Sequence, residues 1–271
     1  MITKQAYAKI NTYLDVISKR DDGFHDILSV MRRVSLADIV RMEIFDSSET
    51  GINLSVKGDD LPCDERNLVY RAAVRFLEKF KICSKINIEI EKNIPIGAGL
   101  GGGSADAATT LIALAEHYRI SDTKALLELA LEIGSDVPFC LVGGSMLCGG
   151  RGEKMTPVVS KFVHLVIAIG NSRVNTAAAY KRLDELHDDF KSPKKILAED
   201  PESRLYNIFE ETADGTTLAL RSRLSELSCG RALMSGSGPS VFGIFDTEES
   251  AISARDALIA DGYTAYYAHT I

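Results

Sequence analysis

The sequence predicts a two-domain α+β protein, with an α/β domain first and a smaller α+β domain after it. Runs of alternating apolar and polar residues, typical of strands, are interspersed with amphipathic segments typical of helices. The 271 residues are 45% hydrophobic, enough for one large core or two modest ones. The glycine-rich stretch VGGSMLCGGRGEKMTPV lies near mid-chain. We place the domain boundary there, with domains at residues 1–157 and 158–271.

The first half of the chain carries the elements of an α/β domain. Period-two alternation predicts strands at residues 6–16 and 86–90, and residues 38–45 and 52–56 also have an extended pattern. An apolar stripe predicts a helix at residues 66–81. The alanine-rich residues 105–118 and residues 122–133 are also expected to be helical. Asp122 has the side chain of a helix N-cap, and Gly134 is a typical helix stop.

The second half predicts helices layered on a small antiparallel sheet. A strand is expected at residues 163–169, followed by helical segments up to about residue 227. The stretch RALMSGSGPSVFGIF has the pattern of a strand, a glycine turn and a second strand. An amphipathic helix at 248–260 and a strand at 263–269 complete this domain.

Charge and cysteine content exclude several classes of function. A net charge of −7 and a pI near 5.4 argue against nucleic acid or an anionic membrane as the main partner. The scattered cysteines form no Cys-x-x-Cys pair, so we expect neither disulfides nor zinc but a reduced, cytoplasmic compartment; they are Cys63, Cys83, Cys140, Cys148 and Cys229. No stretch has the pattern of a signal peptide or a membrane span.

The segment PIGAGLGGGSADAATTL is a glycine loop between a predicted strand and a predicted helix. Gly97, Gly99 and Gly102 spell the dinucleotide-binding pattern G-x-G-x-x-G. That fold next requires a second parallel strand with an acidic residue that binds the ribose. Here a second helix, in ISDTKALLELALEIGSDVP, follows instead. The sequence therefore disfavours dinucleotide binding.

A Walker-type phosphate loop is also excluded, because it requires Gly-Lys-Ser/Thr where this chain has Gly103-Ser104-Ala105. What remains is a loop that holds a triphosphate through backbone N–H groups and a helix N-terminus. Ser104 can add its hydroxyl to phosphate or Mg²⁺. A tight turn needed only for packing is the alternative, but packing alone rarely requires so many glycines.

Two motifs together resemble the GHMP kinase superfamily. PIGAGLGGGSADAATTL is similar to its central ATP-binding motif, and LMSGSGPSVFGIF to its C-terminal glycine motif. The stretches AYAKINTYLDV, KRDDGFHDILSV and GSDVPFCLVGGSMLCGGRGE extend the resemblance. It implies the two-domain fold of that superfamily, with a mixed sheet in the N-terminal domain and a ferredoxin-like C-terminal domain.

The resemblance implies ATP and Mg²⁺ as cofactors, with no assignment of the Mg²⁺ ligands. The ATP-binding residues that it implies are Pro95, Ile96, Gly97, Ala98, Gly99, Leu100, Gly101, Gly102, Gly103, Ser104 and Ala105. The superfamily loop often has another glycine where Ala98 stands.

The catalytic pair that the resemblance implies is Lys9 and Asp136. A carboxylate at Asp136 can take the proton of an attacking alcohol, and a cation at Lys9 can stabilise the transferring phosphoryl group. We expect Pro138 to force an extended path after Asp136. Asn11 shares the face of Lys9 by period two and is expected to orient the substrate. Without the resemblance, a solvent-facing lysine and a capping aspartate are the simpler interpretations.

The resemblance implies a cytidine-binding site at the turn that contains Phe24 and His25. His25 resembles the residue that hydrogen-bonds the cytosine edge, and Phe24 one side of an aromatic sandwich. In the proteins that this turn resembles, tyrosine is usual at the position of Phe24, so this chain lacks a phenolic hydroxyl there. Tyr180 is expected to supply the other side, with Thr176 as a hydrogen-bond partner; a core-facing helix aromatic explains Tyr180 equally well.

The implied reaction is ATP-dependent phosphorylation of the tertiary 2-hydroxyl of a methylerythritol unit that carries a cytidine diphosphate group. This is a step of the non-mevalonate route to isoprenoid precursors. Alternatives are another GHMP-type kinase, acting on homoserine or mevalonate, and a catalytically silent nucleotide-binding protein. We expect a monomer or homodimer whose partner is this small-molecule substrate, without nucleic acid or membrane.

Overall fold

A computed structural model describes residues 1–170, 174–187, 190 and 205–271. Within these residues the strands are β1 (Ile2–Lys19), β2 (His25–Asp46), β3 (Gly51–Lys57), β4 (Ser84–Glu91), β5 (Ser145–Gly150), β6 (Lys154–Pro157), β7 (His164–Ile169), β8 (Tyr206–Asn207), β9 (Ala232–Met234), β10 (Ser240–Phe245) and β11 (Thr264–His269). The helices are α1 (Leu68–Phe80), α2 (Gly102–Tyr118), α3 (Thr123–Ile133), α4 (Val137–Val142), α5 (Thr176–Leu186), α6 (Gly215–Leu227) and α7 (Glu248–Ala260), with a 3-10 helix at Ile208–Thr212.

The described chain divides into two compact units that interleave along the sequence. The first consists of Met1–Ala8, Ala37–Ile96 and Gly101–Gly143, and the second of Lys9–Leu36, Gly97–Leu100 and Gly144–Ile271. Strands β1 and β2 are long enough to contribute to both units. The predicted boundary after residue 157 stays a prediction.

The first unit packs helices on a mixed sheet, as the sequence predicts. Its strand order is β3-β4-β2-β1, with β3 parallel and β2 antiparallel to β4. The alternating isoleucines of β4 are each at most 2% exposed; they are Ile86, Ile88 and Ile90. Phe76 of α1 and Leu111 of α2 are fully buried, and burying each such side chain contributes roughly 1.5–3 kcal/mol.

The second unit contains a ferredoxin-like half. Its antiparallel sheet has the order β11-β7-β10-β9, which is the strand order of a βαββαβ unit. Helices α6 and α7 cover this sheet through a core cluster that includes Leu220, Leu224, Ala254 and Leu258. In the same unit, β2 pairs with β5, β5 with β6, and β1 with β8.

Three predicted elements differ from the structure in informative ways. Helix α2 begins at Gly102, three residues before its predicted start, because glycines within a first turn hide the helical pattern. Asp136 is followed at once by α4, so the expected extended path is wrong. Pro138 lies in the first turn of α4, where a missing N–H costs nothing. The hairpin β5–β6 replaces what the sequence suggested was a boundary segment.

Among the residues that the structure describes, none of the helices is long and apolar enough to cross a membrane. Residues 171–173, 188–189 and 191–204, which belong to the predicted helical region before residue 227, lie outside the described residues.

Candidate active site

Lys9 and Asn11 lie side by side on β1, as their period-two spacing predicts. They are buried, at 4% and 1% exposure, so the solvent-facing interpretation of Lys9 is wrong. Lys9 Nζ donates a 2.8 Å hydrogen bond to Asn11 Oδ1. Asn11 Nδ2 donates in turn to Ser29 Oγ at 2.8 Å. The oxygen and the nitrogen of the Asn11 amide are therefore both hydrogen-bonded within the protein, and the oxygen accepts from Lys9, the predicted catalytic cation.

The C-terminal glycine motif reaches the same asparagine. The Gly236 N–H donates to Asn11 Oδ1 at 3.1 Å. Asn207, which lies outside both glycine motifs, donates through Nδ2 to the carbonyls of Met234 (2.7 Å) and Gly236 (2.8 Å). Asn207 lies in a two-residue strand next to a 3-10 helix, where no periodic pattern marks it.

Part of the glycine loop lies directly on this C-terminal motif. The Ser235 hydroxyl donates to the Gly99 carbonyl at 3.1 Å, and the Ser240 N–H to the Ala98 carbonyl at 3.2 Å. The Lys9 N–H donates to the Leu100 carbonyl at 2.9 Å. Two glycine motifs that are more than 130 residues apart, and the strand that carries Lys9, thus meet within the second unit.

The loop backbone has the geometry of an anion cradle. Gly97, Gly99 and Gly101 have φ values of +67°, +75° and +69°, whereas Ala98 and Leu100 between them have negative φ. Such alternation turns successive N–H groups toward one point and forms a nest for anions. A Cβ on Gly99 would lie 2.2 Å from the Ser235 carbonyl oxygen. At this position both the conformation and the close packing require glycine.

Gly99→Ala is expected to destabilise the protein by about 2 kcal/mol or more and to weaken ATP binding at least about tenfold, because both the positive φ and the Ser235 contact must be relieved. Thermal unfolding and calorimetry with a non-hydrolysable ATP analogue measure the two effects. Gly97→Ala is the matched variant for stability, since it has a similar φ but no atom within 4 Å of the added Cβ. Equal destabilisation by both variants would contradict a packing role for Gly99.

The first turn of α2, in the first unit, has backbone donors of its own. Because α2 begins at Gly102, the N–H groups of Gly102, Gly103 and Ser104 have no carbonyl one turn earlier in the helix. The Ala105 N–H is the first in the helix to bond back, to the Gly101 carbonyl at 2.8 Å. The early helix start therefore provides the donors and the dipole end that a phosphate group needs.

Asp136 occupies the N-cap position of α4 and is half-buried. Within the described residues its side chain makes no capping hydrogen bond to α4, so the interpretation as a capping aspartate is not supported. Asp136 belongs to the first unit and Lys9 to the second. Their action as a pair stays a prediction.

His25 and Tyr180 come together, and Phe24 lies outside their stack. The two rings are stacked with centroids 4.7 Å apart, and Tyr180 also meets the edge of Phe209 at 4.8 Å. Phe24 is 44% exposed and carries the Arg151 guanidinium over its ring at 3.6 Å. The sandwich between Phe24 and Tyr180 stays a prediction.

Thr176, the other predicted partner of the cytidine, lies at the start of α5 and contacts the C-terminal glycine motif. Its hydroxyl oxygen is 3.0 Å from Ser237 Oγ.

Asp184, which the sequence analysis missed, holds the His25 ring. His25 Nε2 lies 2.7 Å from Asp184 Oδ1, and Lys19 Nζ lies 2.6 Å from Oδ2. Partial burial opposes ionisation, but the hydrogen bonds from Lys19 and His25 outweigh it and lower the pKa of Asp184. Tyr180 and Asp184 share one face of α5 by their i, i+4 spacing. That spacing is the signal that could have found Asp184.

Asp184→Asn is expected to raise the Kd for cytidine diphosphate about tenfold or more, because the charge-assisted bond that fixes His25 is lost. Binding of the ATP analogue should not change. Calorimetry with the two nucleotides measures both. Glu185→Gln, at the exposed neighbouring position, is the control. Unchanged binding of cytidine diphosphate by Asp184→Asn would contradict a role for Asp184 in holding the ring.

Two family models match this chain. The model of the GHMP kinases N terminal domain matches residues 67–144, and that of the GHMP kinases C terminal matches residues 180–264. A protein of Clostridium novyi named 4-diphosphocytidyl-2-C-methyl-D-erythritol kinase is 39% identical over 89% of this chain and 90% of its own length. A protein of Caldicellulosiruptor saccharolyticus with the same name is 40% identical over 95% of this chain and 92% of its own.

Solved structures agree with these matches. The crystal structure of a 4-(cytidine 5'-diphospho)-2C-methyl-D-erythritol kinase covers 99% of both chains with a TM-score of 0.80 and 32% identity. A mevalonate kinase structure, at 12% identity and a TM-score of 0.69, shows the shared fold alone.

Proposed function

Because this chain belongs to the GHMP kinase family, we propose that it phosphorylates the 2-hydroxyl of 4-diphosphocytidyl-2-C-methyl-D-erythritol with ATP, in the non-mevalonate route to isoprenoid precursors. The observation that carries this proposal is the meeting of both glycine motifs with the buried Lys9–Asn11 pair, in a unit that also holds the His25–Tyr180 stack. The relatives that share most of this chain's length, at about 40% identity, bear this enzyme's name.

The residues of the loop fit a triphosphate. The glycines at 97, 99 and 101 supply the nest, and the first turn of α2 supplies unpaired N–H groups and the positive end of its dipole. We propose residues 95–105 as the ATP site. When bound there, ATP supplies the phosphoryl group and the negative charge that these donors neutralise.

Mg²⁺ at this site would need only one or two protein oxygens as ligands. No cluster of three or more His, Cys, Asp or Glu side chains with metal-binding geometry occurs among the described residues. Mg²⁺ typically keeps several waters and binds through substrate phosphates with one or two protein oxygens. We propose the Ser104 hydroxyl as one such oxygen.

Asp136 and Lys9 perform the remaining chemistry in this proposal. Asp136 Oδ takes the proton from the tertiary 2-hydroxyl as that oxygen attacks, and Lys9 Nζ stabilises the charge that develops on the transferred group. Asn11 holds the Lys9 ammonium in place and ties it to the Gly236 amide. A tertiary oxygen is crowded, so its orientation matters, and a misplacement of about 1 Å can cost roughly 100-fold in rate.

The cytidine group is proposed to bind against Tyr180 and the side chain of His25, with Phe24 and Thr176 beside it. An aromatic ring can stack on the face of the cytosine, and the fixed His25 imidazole can form a hydrogen bond to the polar edge of the same base. Arg151, stacked on Phe24, places a cation where a diphosphate would benefit from one.

We propose a monomer or homodimer in the cytoplasm, and the division into domains 1–157 and 158–271.

A substrate panel tests this proposal. ATP consumption should require the diphosphocytidyl substrate and should not occur with homoserine or mevalonate. Turnover of either of those instead would favour the corresponding GHMP kinase activity. Binding of the ATP analogue without turnover of any of the three would favour a silent nucleotide-binding protein.

A further inference from the structure

Three buried charged side chains lie at the base of the glycine loop and take no part in the chemistry proposed above. Lys92 directly follows β4, Asp38 lies on β2, and Asp106 lies early in α2. Their side chains are 5%, 0% and 3% exposed. Lys92 Nζ donates to Asp38 Oδ2 and, at 2.7 Å, to Asp106 Oδ2. All three residues belong to the first unit.

This cluster holds the strand-side stem of the loop. Asp38 Oδ1 accepts the backbone N–H groups of Asn93 at 2.6 Å and Ile94 at 2.7 Å, and the Asn93 side chain donates to the Ala37 carbonyl at 3.1 Å. The first residues after β4 are therefore fixed on β2 before the glycines begin.

The same lysine holds the helix-side stem. Asp106 lies four residues after Gly102, the first residue of α2. A Cβ added to Gly102 would lie 3.0 Å from Ile94 Cγ2 and 3.3 Å from Lys92 Nζ. The first turn of α2 thus packs closely against Lys92 and Ile94, and a side chain at Gly102 would push these neighbours aside.

The cluster sets two buried acidic side chains against one ammonium. Asp106 Oδ1 is buried with no hydrogen-bond partner in the described part of the chain. Burial, opposed by the attraction of Lys92, raises the pKa of Asp106. Burial also disfavours the charge on Lys92, but Asp106 and Asp38 outweigh this and raise its pKa. Removing one partner of a buried ion pair leaves an uncompensated buried charge, so both aspartates depend on Lys92.

We propose that Lys92 is a positioning residue for nucleotide binding. By joining Asp38 to Asp106, it fixes the first turn of α2, and the N–H groups that this turn exposes, relative to the strand that carries the loop. The inference rests on the proposed function in one respect, namely that the loop binds ATP. Lys92 itself touches neither the reacting atoms nor the substrate.

Calorimetry with the non-hydrolysable ATP analogue, together with steady-state kinetics, tests this role. In Lys92→Met, the Kd for the analogue and the KM for ATP should rise about tenfold or more, while kcat stays within about threefold of wild type. Binding of cytidine diphosphate should not change. Lys92→Arg keeps the charge and its donors and should recover most of the affinity. A merely stabilising lysine would lower the melting temperature without this split between KM and kcat.

A second pair of variants covers the case in which Lys92→Met does not fold. Asp106→Asn keeps an oxygen that can accept from Lys92, whereas Asp106→Ala removes it. We expect the Kd for the analogue to rise about tenfold in Asp106→Ala and to stay within about threefold in Asp106→Asn. Glu116→Gln is the control, because it breaks an exposed ion pair with Lys4 near the other end of α2.

The outcomes separate this inference from the proposed function. A folded Lys92→Met or Asp106→Ala protein that binds the analogue with the wild-type Kd would overturn the positioning role. Equal losses in Asp106→Ala and Asp106→Asn would also overturn it, because charge and not the bond to Lys92 would then be responsible. Failure of the wild-type protein to bind the analogue would instead contradict the proposed function.

Discussion

Asp136→Asn is expected to lower kcat by about 100- to 10,000-fold, the range that general-base catalysis typically supplies. Asparagine has the same shape but cannot accept the proton of the substrate hydroxyl. Asp136 is half-buried and, in the part of the chain that the structure describes, makes no capping hydrogen bond to α4, so the substitution removes no capping bond from that helix. The fold and the Kd for the ATP analogue should therefore be preserved.

Single-turnover kinetics measures this effect apart from product release. Asp122→Asn is the matched control, since Asp122 caps α3 in the same unit through a 3.0 Å bond to the Ala125 N–H. That control should retain wild-type turnover. If the Asp136→Asn protein kept more than about a tenth of the wild-type activity, Asp136 would not be the general base.

Lys9→Met is expected to lower kcat by about 100- to 1,000-fold, the usual loss when one preorganised electrostatic contact to the transition state is removed. Methionine retains the apolar stem that fills the 4% exposed site on β1. Asn11 Oδ1 still accepts from the Gly236 N–H at 3.1 Å, so the contact between the strand and the glycine motif should survive.

Burst and steady-state measurements, with the melting temperature recorded for each protein, test the role of Lys9. Lys4→Met, on the same strand and partly exposed, is the control and should be fully active. A Lys9→Met protein with normal turnover, or one whose loss follows only from unfolding, would show that the buried ammonium is structural.

Elements defined by local chemistry could be predicted closely. Helix α7 has its predicted bounds at residues 248 and 260, and α3 begins after Asp122 and ends at Gly134 as expected. Capping side chains and apolar stripes act within a few residues, so one sequence is enough to locate them.

Elements defined by distant partners could not be predicted in this way. The strand β5 contains two glycines and lacks clear alternation, and its pairing with β2, from Ile27↔Gly150 to Arg32↔Ser145, keeps it extended. The first part of β2 includes Arg32, which is only 2% exposed although its sequence suggests a surface position. Burial of this kind depends on tertiary contacts that periodicity does not encode.

The residues of the candidate site also fall into those that local sequence marks and those that depend on distant contacts. Its glycine motifs, Lys9, His25 and Asp136 could be found because they stand in recognisable stretches. Asn207 could not, because it lies in a two-residue strand that no periodic pattern marks. Asp184 has only its i, i+4 spacing from Tyr180 as a signal, since its partner His25 is 159 residues away. Lys92 cannot be singled out from the sequence for a related reason, since its significance depends on two buried carboxylates that come from other elements.

The proposed reaction transfers the γ-phosphoryl group of ATP to a tertiary hydroxyl of the diphosphocytidyl substrate. Proton-coupled ³¹P NMR of the product tests it most directly, because the carbon that bears a tertiary oxygen has no hydrogen. We expect ATP consumption only when this substrate is present, and a new phosphomonoester signal without three-bond coupling to a proton. A monoester signal split by a carbinol proton, or no phosphorylated product at all, would contradict it.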